Sequence, residues 1–252
     1  MSDRKPLIAG NWKMFKTHGE AAETARQLVA KTAGIVDVEV MIAPPFTALS
    51  HVADVLRNSP VALGAQNLYW EKEGAFTGEI SPSMLVAVGC RYVIIGHSER
   101  RQYFNETDET VNNKIKSTVS YGLIPVVCIG ETEIERETEQ TFSVLDRQLK
   151  TGLEGLTADS LASLVIAYEP VWAIGTGKAA TAEMAQEVHA FIRSWMEKNY
   201  GNPLAKAVRI LYGGSVKPDN VKELMRQPDL DGALVGGASL AADTFSQLIH
   251  YQ

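Results

Sequence analysis

Glu169 closes an apolar run, Val165-Ile166-Ala167-Tyr168, and is followed by Pro170 and the segment VWAIGTGK. A charged residue after a buried run is often a surface carboxylate at a strand edge. Here Pro170 fixes the backbone directly after it. Val171, Trp172, Ala173, Ile174, Gly175, Thr176, Gly177 and Lys178 combine bulky apolar groups with paired glycines, a composition suited to a lid over a site. Under such a lid a desolvated carboxylate is a stronger base, able to take a proton from carbon. His97 follows another apolar run, YVIIG, and opens SERRQYF, a predicted short helix. A histidine there can be a packed ring, but a helix N-terminus disfavours imidazolium and keeps the ring neutral, able to donate a proton in a hydrogen bond. Asn11 and Lys13 end the first apolar run, and their spacing places both side chains on one strand face. Glu99 is either a solvated acid at a helix start or the partner of Lys13.

The seventh and eighth runs end in YGGS (212–215) and VGGAS (235–239), glycine pairs leading towards helices. Without a β-carbon the backbone can turn several N–H groups inward, and a helix N-terminus behind them adds positive dipole. One such pair reads as a tight strand-to-helix turn. Two pairs after adjacent strands read as a phosphate site.

These groups need elements that bring them together. Short apolar or β-branched runs alternate with segments of helical periodicity: PLIAGNW, VEVMIAP, VALGAQNL, YVIIGH, LIPVVCIG, SLVIAYE, VRILYGG and DGALVGG. Start signals of the capping-box type stand at Thr17 with Glu20 and at Thr132 with Glu135, and further helix starts at Ser81-Pro82 and Lys217-Pro218. Parallel strands need crossover helices, so the fold class is α/β. Eight such units in 252 residues fit a single-domain (β/α)8 barrel spanning residues 1–252. The rival, a doubly wound open sheet, would have more polar edge strands. In either architecture the strand C-termini, where the chemistry-bearing residues stand, form the ligand-binding rim.

Composition sets outer limits. Hydrophobic content of 45% with 21% charged residues is globular usage, far from the disordered class. A net charge of -6 argues against a nucleic-acid or anionic-membrane surface and leaves room for a small anionic ligand in a basic pocket. The N-terminus lacks a signal-peptide core and no segment is long enough to span a bilayer. Cys90 and Cys128 stand in apolar surroundings without metal spacing, so a cytoplasmic chain with no structural metal is expected. GTGKAA fits a dinucleotide fingerprint by letters, but its first glycine lies well beyond the strand end, and a Walker loop fails at Trp172 and Ala179. The acidic run ETEIERETE (131–139) reads as a solvated helix face.

GNWKM (10–14), GHSERR (96–101), AYEPVWAIGTGK (167–178), YGGSV (212–216) and GGASL (236–240) together resemble the triosephosphate isomerase family, in order and over the whole chain. The resemblance implies interconversion of dihydroxyacetone phosphate and D-glyceraldehyde 3-phosphate through an enediolate, without cofactor or metal. It implies Glu169 as the carbon base, neutral His97 as the electrophile that shuttles oxygen protons, Lys13 as a charge partner and Asn11 as a donor to substrate oxygen. Gly175, Ser215, Gly236 and Gly237 would hold the phosphate; Glu99, Glu131 and Tyr212 would support the site, with Cys128 a buried neighbour. Other phosphate-binding barrels, such as an aldolase, are the enzymatic rival, and a barrel kept only as a binding module is the other. Neither accounts for Glu169, His97 and Lys13 together.

The segment YWEKEGAFTGEISPS (69–83) is long for a barrel connection and rich in aromatics. It reads either as a loop folded over its own barrel or as one covered by a partner subunit. The resemblance implies the second: a homodimer in which Phe76, Thr77 and Gly78 insert next to Asn11 and Lys13 of the other subunit.

Overall fold

The computed structural model describes residues 4–173 and 180–252. Among them run β1 (Leu7–Asn11), β2 (Glu39–Ala43), β3 (Ala62–Ala65), β4 (Tyr92–Ile95), β5 (Ile124–Ile129), β6 (Val165–Tyr168), β7 (Arg209–Tyr212) and β8 (Gly232–Val235). They close into one parallel barrel in chain order, β8 pairing back onto β1 through Leu7↔Gly232 to Gly10↔Val235. Each apolar run of the sequence holds one strand, and the closed barrel excludes the open-sheet rival.

Strand alternation divides the core into two parts. Leu7, Ala9, Met41, Tyr92, Ile94, Val126, Cys128, Val165, Ala167 and Leu211 fill the barrel interior. Ile8, Ile42, Val93, Ile95, Val127, Ile166, Tyr168 and Tyr212 face outward onto the surrounding helices. Both faces are therefore apolar, which is why the strands read as continuous runs.

Helix starts follow local chemistry. Thr17 and Glu20 make a reciprocal cap on helix His18–Lys31, and Thr132 and Glu135 do so on Glu133–Glu137. Ser81 caps Pro82–Val88, with proline in the first turn. Lys217-Pro218 opens a turn that leads straight into a short helix: Asn220 Oδ1 accepts the Lys217 N–H at 2.8 Å, the Lys217 carbonyl accepts the Asn220 and Val221 N–H groups at 3.2 and 3.0 Å, and the regular helix runs Val221–Leu224. Among the described residues no helix is long and apolar enough to cross a membrane.

The N-terminal mouth of the barrel is plugged by charge. Glu39 accepts from the Tyr92 hydroxyl at 2.6 Å, pairs with Arg91 at 2.7 Å and accepts from Arg209 at 2.6 Å, while Arg209 also donates to Tyr92 at 3.1 Å. Each of the four side chains has a partner within the cluster.

Candidate active site

The opposite mouth is a cleft of about 260 Å³ lined by Asn11, Lys13, His97, Glu169, the Gly213–Lys217 turn and Leu234–Ala238. Glu169 continues the inward phase of Val165 and Ala167, and so points into this mouth. It is 2% exposed. Its carboxylate accepts from the Ser98 N–H at 2.9 Å and the Ser98 hydroxyl at 3.3 Å, and lies 3.0 Å from His97 Nε2. Burial works to raise its pKa, but the imidazole, the Ser98 N–H and Lys13 together hold it below the usual carboxylate range.

His97 reaches the cleft by a different route. By alternation it would share the outward phase of Val93 and Ile95, but Gly96 takes a left-handed backbone at φ 73° and resets the direction. The Glu99 N–H of helix Ser98–Phe104 points at His97 Nδ1, 3.3 Å away, so the ring proton sits on Nε2, facing Glu169. The expectation that the helix start governs this ring needs a correction. Burial is the largest single influence and pulls its pKa down, but the Glu169 carboxylate bonded to it and the Glu99 carboxylate together make the net shift upward. The balance therefore depends on Glu169 staying docked.

Asn11 and Lys13 both line the cleft, but not as neighbours on one strand face. β1 ends at Asn11, and Lys13 has a left-handed backbone at φ 50°, held by its N–H donating to Asn11 Oδ1 at 3.0 Å. The turn, rather than alternation, brings them together. Lys13 Nζ pairs with Glu99 at 2.5 Å, which resolves the two readings of that acid.

The glycine turns do more than expose N–H groups. A β-carbon on Gly213 would lie 2.8 Å from Glu169 Cγ, so glycine there is what lets Glu169 occupy its place. Ser215, Gly236 and Gly237 line the cleft with them, Gly236 against the Lys13 side chain, where a β-carbon would lie 3.2 Å from Lys13 Cε. Tyr212 is fully buried behind this wall, its hydroxyl pushed up to about 12 by burial. Cys128 is buried next to Glu169; burial raises its thiol, and the neighbouring carboxylate raises it further.

Glu131 does not belong to a solvated helix face. It precedes helix Glu133–Glu137 and is completely buried, because it continues the outward phase of β5 and packs between barrel and helices. It accepts from the Tyr168 hydroxyl and the Trp172 indole, each at 3.0 Å, and its carbonyl accepts the Val171 N–H at 3.1 Å. Burial raises its pKa against these bonds. Of the predicted lid, Pro170 to Ala173 are thus anchored to Glu131 at one end; Ile174, Gly175, Thr176, Gly177 and Lys178 lie outside the described residues.

Sequence reasoning missed two residues that touch this arrangement, Gly130 and Gln148. A glycine directly after a strand was the one available signal. Among the described residues no group of three or more histidine, cysteine, aspartate or glutamate side chains could hold a metal ion.

The model of the family described as triosephosphate isomerase matches residues 6–252. The chain belongs to the triosephosphate isomerase family. Curated triosephosphate isomerases from Geobacter metallireducens and Chloroflexus aurantiacus are 57% and 56% identical to it, each over 99% of this chain and at least 99% of their own. The crystal structure of triosephosphate isomerase from Bartonella henselae superposes with a TM-score of 0.89 at 42% identity, covering 98% of both chains. Triosephosphate isomerases are thus its relatives in sequence and in fold, and like them it is an isomerase.

Proposed function

We propose that this chain interconverts dihydroxyacetone phosphate and D-glyceraldehyde 3-phosphate by moving a proton between adjacent carbons through an enediolate. Glu169 takes the proton from one carbon and returns it to the next. His97 donates from Nε2 to the substrate oxygen, Lys13 offsets the negative charge that develops there, and Asn11 donates to the same oxygens. The phosphate rests on the backbone turns at Ser215, Gly236 and Gly237.

One observation carries this reading: a buried carboxylate and a buried imidazole meet at 3.0 Å in a cleft lined also by the glycine turns at Gly213–Gly214 and Gly236–Gly237. To reach a carbon, Glu169 must leave Ser98 and His97. Departure of that charge removes the larger of the two carboxylate influences that raise the imidazole, and leaves burial, Lys13 and the Glu99 N–H favouring a neutral donor ring against the Glu99 carboxylate alone. The test is exchange in heavy water. Dihydroxyacetone phosphate should take up one deuterium at C1, and Glu169→Gln should slow this by about 10²- to 10⁴-fold. Exchange at the parent rate in that variant overturns the assignment.

We further propose that the active form is a homodimer working in the cytoplasm. The loop at 69–83 packs Tyr69 against Trp70 and Phe76, with ring centroids at 4.1 and 4.6 Å. Phe76 nevertheless remains 40% exposed, and Met14 and Phe15 beside the cleft are 94% and 54% exposed. Two copies related by a two-fold axis would cover both sets at once. Thr77→Arg should give a slower-sedimenting chain with little activity; a fully active monomer rules the coupling out.

A further inference from the structure

We propose that Gln148 is a positioning residue for Glu169, acting through the backbone of Gly130; this rests on the reading of Glu169 as the base. The β5–β6 ladder continues past the strand ends. The Glu169 N–H donates to the Ile129 carbonyl at 2.8 Å and the Val171 N–H to the Glu131 carbonyl at 3.1 Å. Gly130 lies between these two rungs, so by parallel-ladder alternation its own N–H and carbonyl face away from β6. On that side β4 has already ended at Ile95 and turned at Gly96 into a helix, leaving no strand to pair with.

Gln148 fills that place. It sits on helix Thr141–Gly152 and is 5% exposed. Its Oε1 accepts the Gly130 N–H at 2.8 Å and its Nε2 donates to the Gly130 carbonyl at 3.1 Å. A side-chain amide carries the same donor and acceptor as a peptide, so it substitutes for the absent strand neighbour.

What Gly130 touches gives the clamp its consequence. A β-carbon there would lie 1.8 Å from the Glu169 carbonyl oxygen and 2.7 Å from its carbonyl carbon. The two backbones are in contact, so the plane of Gly130 sets the plane of Glu169. Release of the clamp lets both shift, and the carboxylate moves relative to its target carbon.

Gln148→Met keeps the volume and removes both hydrogen bonds. It should lower kcat roughly tenfold, as expected for a displacement of under 1 Å at the base. KM should change by less than about twofold, since the phosphate turns are untouched. The acid limb of kcat/KM against pH should move, because the pKa of Glu169 depends on its placement against His97 and Ser98. In a Glu169→Gln background Gln148→Met should cost nothing more, because the group it positions is gone. Gln148→Glu keeps the acceptor for the Gly130 N–H but can donate to the Gly130 carbonyl only when protonated, so it should lose kcat when ionised and regain part of it as pH falls, relative to the parent at each pH; it carries the test if the methionine variant does not fold. A lower melting temperature with parental kcat and pH profile overturns the proposal, as does a full additional loss in the Glu169→Gln background. If Glu169→Gln alone leaves the rate intact, the reading of the base fails first, and the failure is told apart from one at Gln148.

Discussion

The barrel holds a carboxylate at each mouth, half-buried at one and buried at the other, and the two are treated in opposite ways. At the N-terminal mouth Glu39 is held by Tyr92, Arg91 and Arg209. At the C-terminal mouth Glu169 has a serine and an imidazole for partners and a cleft of about 260 Å³ on its free side. Both groups are held below the usual carboxylate range against burial that works to raise them. The difference lies in what the partners are. Guanidinium groups carry permanent charge and leave nothing to exchange, so Glu39 is a plug. A hydroxyl, one N–H and a titratable ring can be traded for substrate, so Glu169 is free to act.

Substituting each carboxylate breaks the comparison in opposite directions. Glu169→Gln should remove nearly all catalysis, on the scale given above, with a small change in melting temperature. Glu39→Gln should leave kcat and KM at parental values, because Glu39 and the cleft residue Asn11 are separated by the length of the strands, roughly 13 Å at 3.3 Å per residue. Its cost should appear in urea unfolding, at about 2 kcal/mol. That is less than the 3–5 kcal/mol for one partner of a fully buried pair, because 14% of the Glu39 side chain still meets water. A slow but fully stable Glu39→Gln enzyme would erase the distinction between plug and site.

The smallest effect is in pH dependence. Glu39 releases its proton more readily in the folded chain than in the unfolded one, so its contribution to stability is complete above its ordinary value of 4.5. It fades as pH falls through the lower folded value. The stability gap between parent and Glu39→Gln should therefore be largest near neutrality and narrow below pH 4.5, measured by urea titration at several pH values. A gap that widens in acid would mean that Glu39 is not held ionised by Arg209 and Tyr92.

What the sequence determined by itself is local. Apolar runs fixed the strands because both barrel faces are buried. Thr17 with Glu20 and Thr132 with Glu135 fixed helix starts because a cap needs only residues a turn apart. Glu169, His97 and Lys13 stood out as polar groups at apolar strand ends. Tertiary structure decided the rest. The left-handed turn at Gly96 redirects His97 from the outer face into the mouth, and the turn after Asn11 places Lys13. Glu131 looks like one acid in a solvated run, yet strand phase buries it completely. Gln148 reads as an ordinary polar position on an amphipathic helix; only the end of β4 leaves Gly130 without a strand and gives that amide its partner. Periodicity and capping act over a few residues and are written in the chain. The direction of a side chain after a turn, and the partner of a buried polar group, depend on which distant backbone has ended nearby.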